Sequence, residues 1–155
     1  MFEPPLRLIF NDNGTGHADV VLHFAGQQWI CDSYYFAIDD GIATECDDGE
    51  AKIRAVLRNL LHQWQKALRT LKIAEIAFLP YDFSDQSTSW LRCTRVENGF
   101  VIQHGWSRLE GWSFSPSSIG ELLHGLEDFR ADGPSLEVSA LELAQAIDDS
   151  LSSAA

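Results

Sequence analysis

A chain of 155 residues with 45% apolar and 22% charged residues is long enough to bury roughly two-thirds of its unfolded surface around one core. Its net charge of −12 repels a phosphate backbone and favours a basic protein as partner. Mean hydropathy is −0.12, and no apolar run approaches the roughly 18 residues that a membrane span needs.

The charge is unevenly spread. Residues 1–50 hold ten acids against one base, whereas residues 51–75 hold six bases against one acid. Residues 116–155 are acidic again, with eight acids and one base. The opening MFEPPLRLIF has neither the positive start nor the long apolar core of a signal peptide, so cytoplasmic residence is expected. Three cysteines, Cys31, Cys46 and Cys93, stand far apart with no C-x-x-C spacing. Reduced thiols are expected, with no zinc knuckle, no disulfide framework and no cofactor.

In chain order, Leu6–Phe10 reads as a strand and Asn13-Gly14 as part of a turn. Asp19–Phe24 reads as a second strand. A turn over Gly26-Gln27-Gln28 leads into Trp29–Cys31, and Tyr34–Ile38 continues in extended form, completing an antiparallel β-meander. A long amphipathic helix follows, with Asp47 as its cap. Ile53, Val56, Leu57, Leu60, Leu61, Trp64, Leu68 and Leu71 recur at three- and four-residue steps along it. Lys52, Arg54, Arg58, Lys66 and Arg69 form its solvated face.

Ile73–Leu79 reads as a strand halted by Pro80. Ser89–Val96 and Phe100–Trp106 read as a hairpin turning at Asn98-Gly99, a register that sets Cys93 across from His104. Ser118-x-x-Glu121 and Ser139-x-x-Glu142 each predict a helix start, giving two C-terminal helices over Ile119–Leu126 and from Leu141 onward. Between them Asp132-Gly133-Pro134 reads as a break, and residues 151–155 as a frayed end. The expected fold is α+β: one domain over 1–155, antiparallel strands with helices packed on one face.

Chemistry-bearing motifs are sparse. There is no G-x-S-x-G, no phosphate loop ending in Gly-Lys-Ser/Thr, and no histidine pair at metal-ligand spacing. A cysteine beside a histidine would make a nucleophile, but the apolar neighbours Leu91, Ile102 and Trp106 predict a buried, neutral thiol. Asp82 and Asp85 lack the alternating acids, glycine and terminal glutamate of a calcium loop.

The expected recognition face is therefore the outer side of the hairpin with the loop before it: Tyr81, Asp82, Asp85, Trp90, Arg92 and Gln103. Trp90, on a face not otherwise apolar, is expected to be partly exposed. Trp112 is expected to staple a helix to the sheet. The function expected is that of a protein-binding module, of the inhibitor or immunity type, for a basic partner. Two other readings are a small-molecule or enzymatic site between sheet and long helix, and a homo-oligomer joined through Trp90 and Val101.

Overall fold

The computed structural model describes residues 4–42 and 49–155, and the fold is α+β. The first antiparallel sheet contains β1 (Leu6–Phe10), β2 (Val20–Phe24) and β3 (Gln27–Cys31) in chain order. Alternation makes it one-sided. Leu6, Leu8, Phe10, Val20, Leu22 and Phe24 turn into the core, and the residues between them face outward. β2 and β3 join through Ala25-Gly26, both in the left-handed region (φ 51° and 78°), so the turn lies earlier than the sequence predicts and β3 gains Gln27 and Gln28.

Residues 34–38 are not extended. Tyr34–Ala37 forms the short helix α1, buried through Phe36. α2 (Gly49–Arg69) is the long amphipathic helix, and each of Ile53, Val56, Leu57, Leu60, Leu61, Trp64 and Leu68 is buried. Its expected cap, Asp47, lies outside the described residues. Two of its bases do more than meet solvent. Arg54 and Arg58 donate to the backbone carbonyls of Ser153 (3.1 Å) and Ala154 (2.8 Å), and Arg54 also pairs with Glu50.

The second sheet has the order β4-β5-β6-β7: β4 (Ile76–Phe83), β5 (Thr88–Val96), β6 (Gly99–Ser107) and β7 (Arg130–Ser139). β4 runs through Pro80 instead of stopping there. An edge strand leaves the missing N–H without consequence, and a bulge falls between Pro80 and Asp82. Asp132-Gly133-Pro134 likewise lies inside β7, the opposite edge strand, beside a bulge at Gln103/Gly105. Both edges therefore carry proline, which blunts them against further pairing.

The hairpin register differs from the expected one. Val96 pairs with Gly99, so Glu97 and Asn98 make the turn; Cys93 then faces Ile102, and His104 faces Leu91. A shift of two positions keeps every side chain on its expected face while changing its partner. Gly99 belongs to the strand, pairing with Val96 and with Ser139 of β7, and a Cβ there would collide with the Val138 carbonyl.

Only one turn of the expected helix over 119–126 forms: α3, Leu122–Gly125, without a side-chain cap. α4 (Ala140–Ala154) begins with the capping box read from the sequence, Ser139 and Glu142 bonding each other's backbone N–H at 3.0 and 3.1 Å. It does not fray at residue 151. Ala154 is buried, and the arginines of α2 hold the last carbonyls. α4 also covers the free edge of β1, with Ser150 Oγ accepting from the Leu8 N–H at 3.1 Å.

Candidate functional site

The expected recognition residues do not form one face. Trp90 is 0% exposed: its indole stacks on Phe114 (5.7 Å between centroids) and donates to Thr88 Oγ1 at 2.7 Å. The segment carrying Phe114 folds over this end of the sheet and provides the apolar cover that the strand pattern does not reveal. Its burial also removes Trp90 from any sheet–sheet contact between copies. Tyr81 is 2% exposed and hydrogen-bonded to His104. Arg92 lies over the Phe129 ring (4.9 Å), and the Gln103 amide donates to the carbonyls of His104, Gly133 and Pro134, bracing the β7 bulge.

His104 Nδ1 lies 2.7 Å from the Asp132 carbonyl, which only accepts, so this nitrogen carries the proton. Nε2 then accepts from the Tyr81 hydroxyl. The ring stacks on Trp29 of β3 (4.1 Å), joining the two sheets, and burial pushes its pKa down. Cys93 is fully buried opposite Ile102, and desolvation pushes its thiol pKa up. Cys93 and His104 therefore make no thiolate–imidazole pair.

Asp85 is the expected residue that lies on a concave surface. Four segments build a depression of about 790 Å³ there: the β1–β2 loop at His17, residues 32–38 around α1, the end of β4 with the loop at 84–87, and the loop holding Trp112. Its apolar rim is Tyr34 (48% exposed), Ile38 (54%) and Trp112 (65%), half of the large apolar side chains left exposed among the described residues. Tyr34 and Ile38, four residues apart, share one side of the α1 turn. Asp32, Asp85 and His17 supply the polar part, with His17 Nδ1 and Asp32 3.5 Å apart.

Buried carboxylates hold these segments in place. Asp19 accepts from the N–H and hydroxyl of Ser33, fixing the start of α1. Asp39 accepts from the Gly41 N–H and from the N–H and hydroxyl of Ser117, tying the end of α1 to the chain beyond Trp112. The Gly111 N–H donates to the Ser84 carbonyl at 2.7 Å, and a Cβ at Gly111 would collide with that backbone. Tyr35 donates to Asp85, an interaction that pushes the phenol up to about 12, with desolvation adding to it.

Asp82 sits half-buried to one side, and desolvation foremost, then repulsion from Asp32, raises its carboxyl to about 6. Neither Asp82 nor Asp85 has an ion-pair partner among the described residues. No group of three or more metal-ligating side chains occurs among them either. The sequence reading missed Tyr34, Ile38 and Trp112. The available signal was the four-residue Tyr34/Ile38 spacing around Phe36, which fits one helical turn as well as a strand.

The second expected location, between long helix and sheet, contains a groove of about 290 Å³ floored by Leu68, Phe100, Leu143 and Ile147. No helix among the described residues is long and apolar enough to cross a membrane. No protein-family model matches this chain, and no curated protein or solved structure matches it either.

Proposed function

We infer that the chain is a protein-binding module for a basic partner, of the inhibitor or immunity type, and that it binds through the Tyr34–Ile38–Trp112 depression. The observation that carries this reading is the convergence of three exposed large apolar side chains with Asp32 and Asp85 in one concavity. Aromatic anchors surrounded by charged groups are the composition of an energetic centre in protein interfaces. The buried Asp19 and Asp39 networks fix the depression beforehand, so little conformational freedom is lost on binding.

Charge supports the sign of the partner. At −12 overall, the chain steers cations toward itself. Asp82 and Asp85, without a cation among the described residues, gain most from a lysine or arginine delivered by another protein.

The test is affinity capture from the native host with wild type and with the Tyr34→Ala/Trp112→Ala double variant. A basic protein retained by wild type at low salt, and lost both at high salt and in the double variant, is the expected result. Equal retention by both proteins would place the interface elsewhere.

A further inference from the structure

The outer face of the first sheet carries a row of hydrogen-bond donors. The register places Arg7 of β1 across from His23 of β2, and His23 across from Gln28 of β3. With Gln27 and the Ala25-Gly26 turn they line a cavity of about 330 Å³ on the side away from the core.

Arg7 is the one base among ten acids in residues 1–50. It forms no ion pair among the described residues, and its Nε is buried without an acceptor there. A buried guanidinium N–H left unpaired costs stability until an acceptor arrives. The Nε itself is covered, so an oxyanion in the cavity meets the guanidinium through its two Nη groups, whose N–H pair can grip two oxygens. A carboxylate gripped by the arginine holds both its oxygens at that one edge, whereas His23 and Gln28 add donors from the next two strands. A tetrahedral oxyanion presents a further oxygen to them.

Two residues along each strand, on the same face, lies an apolar row: Ile9 across from Val21, and Val21 across from Ile30. That is about 7 Å from the donor row. Ile30 is exposed, so this row is open to a ligand's organic part.

We propose that the Arg7–His23–Gln28 row binds the phosphate of a small phosphate monoester, whose ester group lies against Ile9, Val21 and Ile30. The site lies on a different sheet face from the Trp112 depression, and the proposal stands independently of the function inferred for that depression.

The test is a titration of isotope-labelled protein with phenyl phosphate, inorganic phosphate and phenylacetate, at an ionic strength held constant with sodium chloride. Saturable shifts at the Arg7 Nε–H, the His23 ring and the Gln28 amide are expected, with phenyl phosphate binding more tightly than inorganic phosphate. Arg7→Gln should weaken phenyl phosphate at least about tenfold while the amide spectrum remains that of the folded chain. If Arg7→Gln does not fold, Gln28→Ala, at an exposed position, should weaken it about threefold. The proposal is overturned if wild type shows no saturation by about 10 mM phenyl phosphate. Unaltered binding in the folded variant, or phenylacetate binding as tightly as phenyl phosphate, overturns it equally.

Discussion

Trp90 and Trp112 lie in neighbouring stretches of chain and serve opposite ends. Around Trp90 the chain closes on itself: Phe114 stacks on the indole, Phe129 packs tilted against Phe78 and under Arg92, and the one polar atom of the indole is bonded to Thr88. Around Trp112 the chain stays open, yet the backbone beneath is fixed by Asp39 and by the Gly111–Ser84 bond. A side chain is available for recognition when nothing covers it and its backbone is held. Trp90 has the second property only, and Trp112 has both.

The largest expected effect separates the two directly. Trp90→Ala removes a fully buried indole and should cost about 3–5 kcal/mol in urea unfolding. Trp112→Ala, at a position 65% exposed, should cost no more than about 0.5 kcal/mol. Partner binding should show the reverse order among folded variants. Equal destabilisation by the two substitutions would erase the distinction between a closed and an open region.

Next in size is the seam between the sheets. His104→Phe keeps an aromatic ring against Trp29 but leaves the Tyr81 hydroxyl and the Asp132 carbonyl unpaired, a cost of about 1–3 kcal/mol. The same variant should flatten the acid side of the stability profile. Burial lowers the His104 pKa, so protons favour the unfolded chain, and wild type loses stability as pH falls below the ordinary value of 6.5. An unchanged acid slope in the variant would remove His104 as its source.

How much of this was legible in the sequence depended on whether cause lay near in the chain. The heptad-like spacing of α2 and the Ser139–Glu142 cap are local, and both helices form, α2 ending at Arg69 short of Leu71 and α4 running on to Ala154. The two prolines misled because Pro80 and Pro134 break only interior strands; sheet order, a long-range property, placed both at edges. Trp90 misled for a related reason. Its strand neighbours Arg92 and Thr94 suggest an open face, and the residue that covers it, Phe114, lies well beyond the hairpin. Asp85 stands out in the sequence as a loop carboxylate, but the apolar side chains beside it come from α1 and the Trp112 loop, which no strand periodicity joins.

Asp82 offers an intermediate effect of opposite sign on the open side. Its carboxyl, raised from 3.8 to about 6 by desolvation and by Asp32, binds its proton more tightly in the folded chain than in the unfolded one. The penalty is therefore complete above about pH 6 and fades as pH falls toward 3.8. Asp82→Asn should stabilise the chain at pH 7 by about 1–2 kcal/mol, the full shift being discounted for partial exposure. The gain should vanish near pH 4, where wild-type Asp82 is neutral in both states. A constant gain across that range would assign it to packing. If a basic partner relieves this penalty, the same substitution should weaken its binding while raising stability, a trade that closed regions do not show.

The smallest expected effect tests whether the open depression is held before any partner arrives. Asp85→Asn, at an exposed loop position, should change stability by less than about 0.5 kcal/mol. It should nonetheless bring the Tyr35 phenol down from about 12 toward 10, because the hydrogen bond to the carboxylate is the largest cause of the rise. Phenolate absorbance of wild type and Asp85→Asn, with Tyr35→Phe to assign the transition, measures this. A Tyr35 that titrates identically in both would mean that α1 and the 84–87 loop are not linked through this bond in solution. The rim of the depression would then be ordered only on binding, and its entropy cost would count against affinity. A clear fall toward 10 would show instead that the chain sets the spacing of Tyr34, Ile38 and Asp85 by itself, which is what separates a prepared recognition surface from an uncovered one.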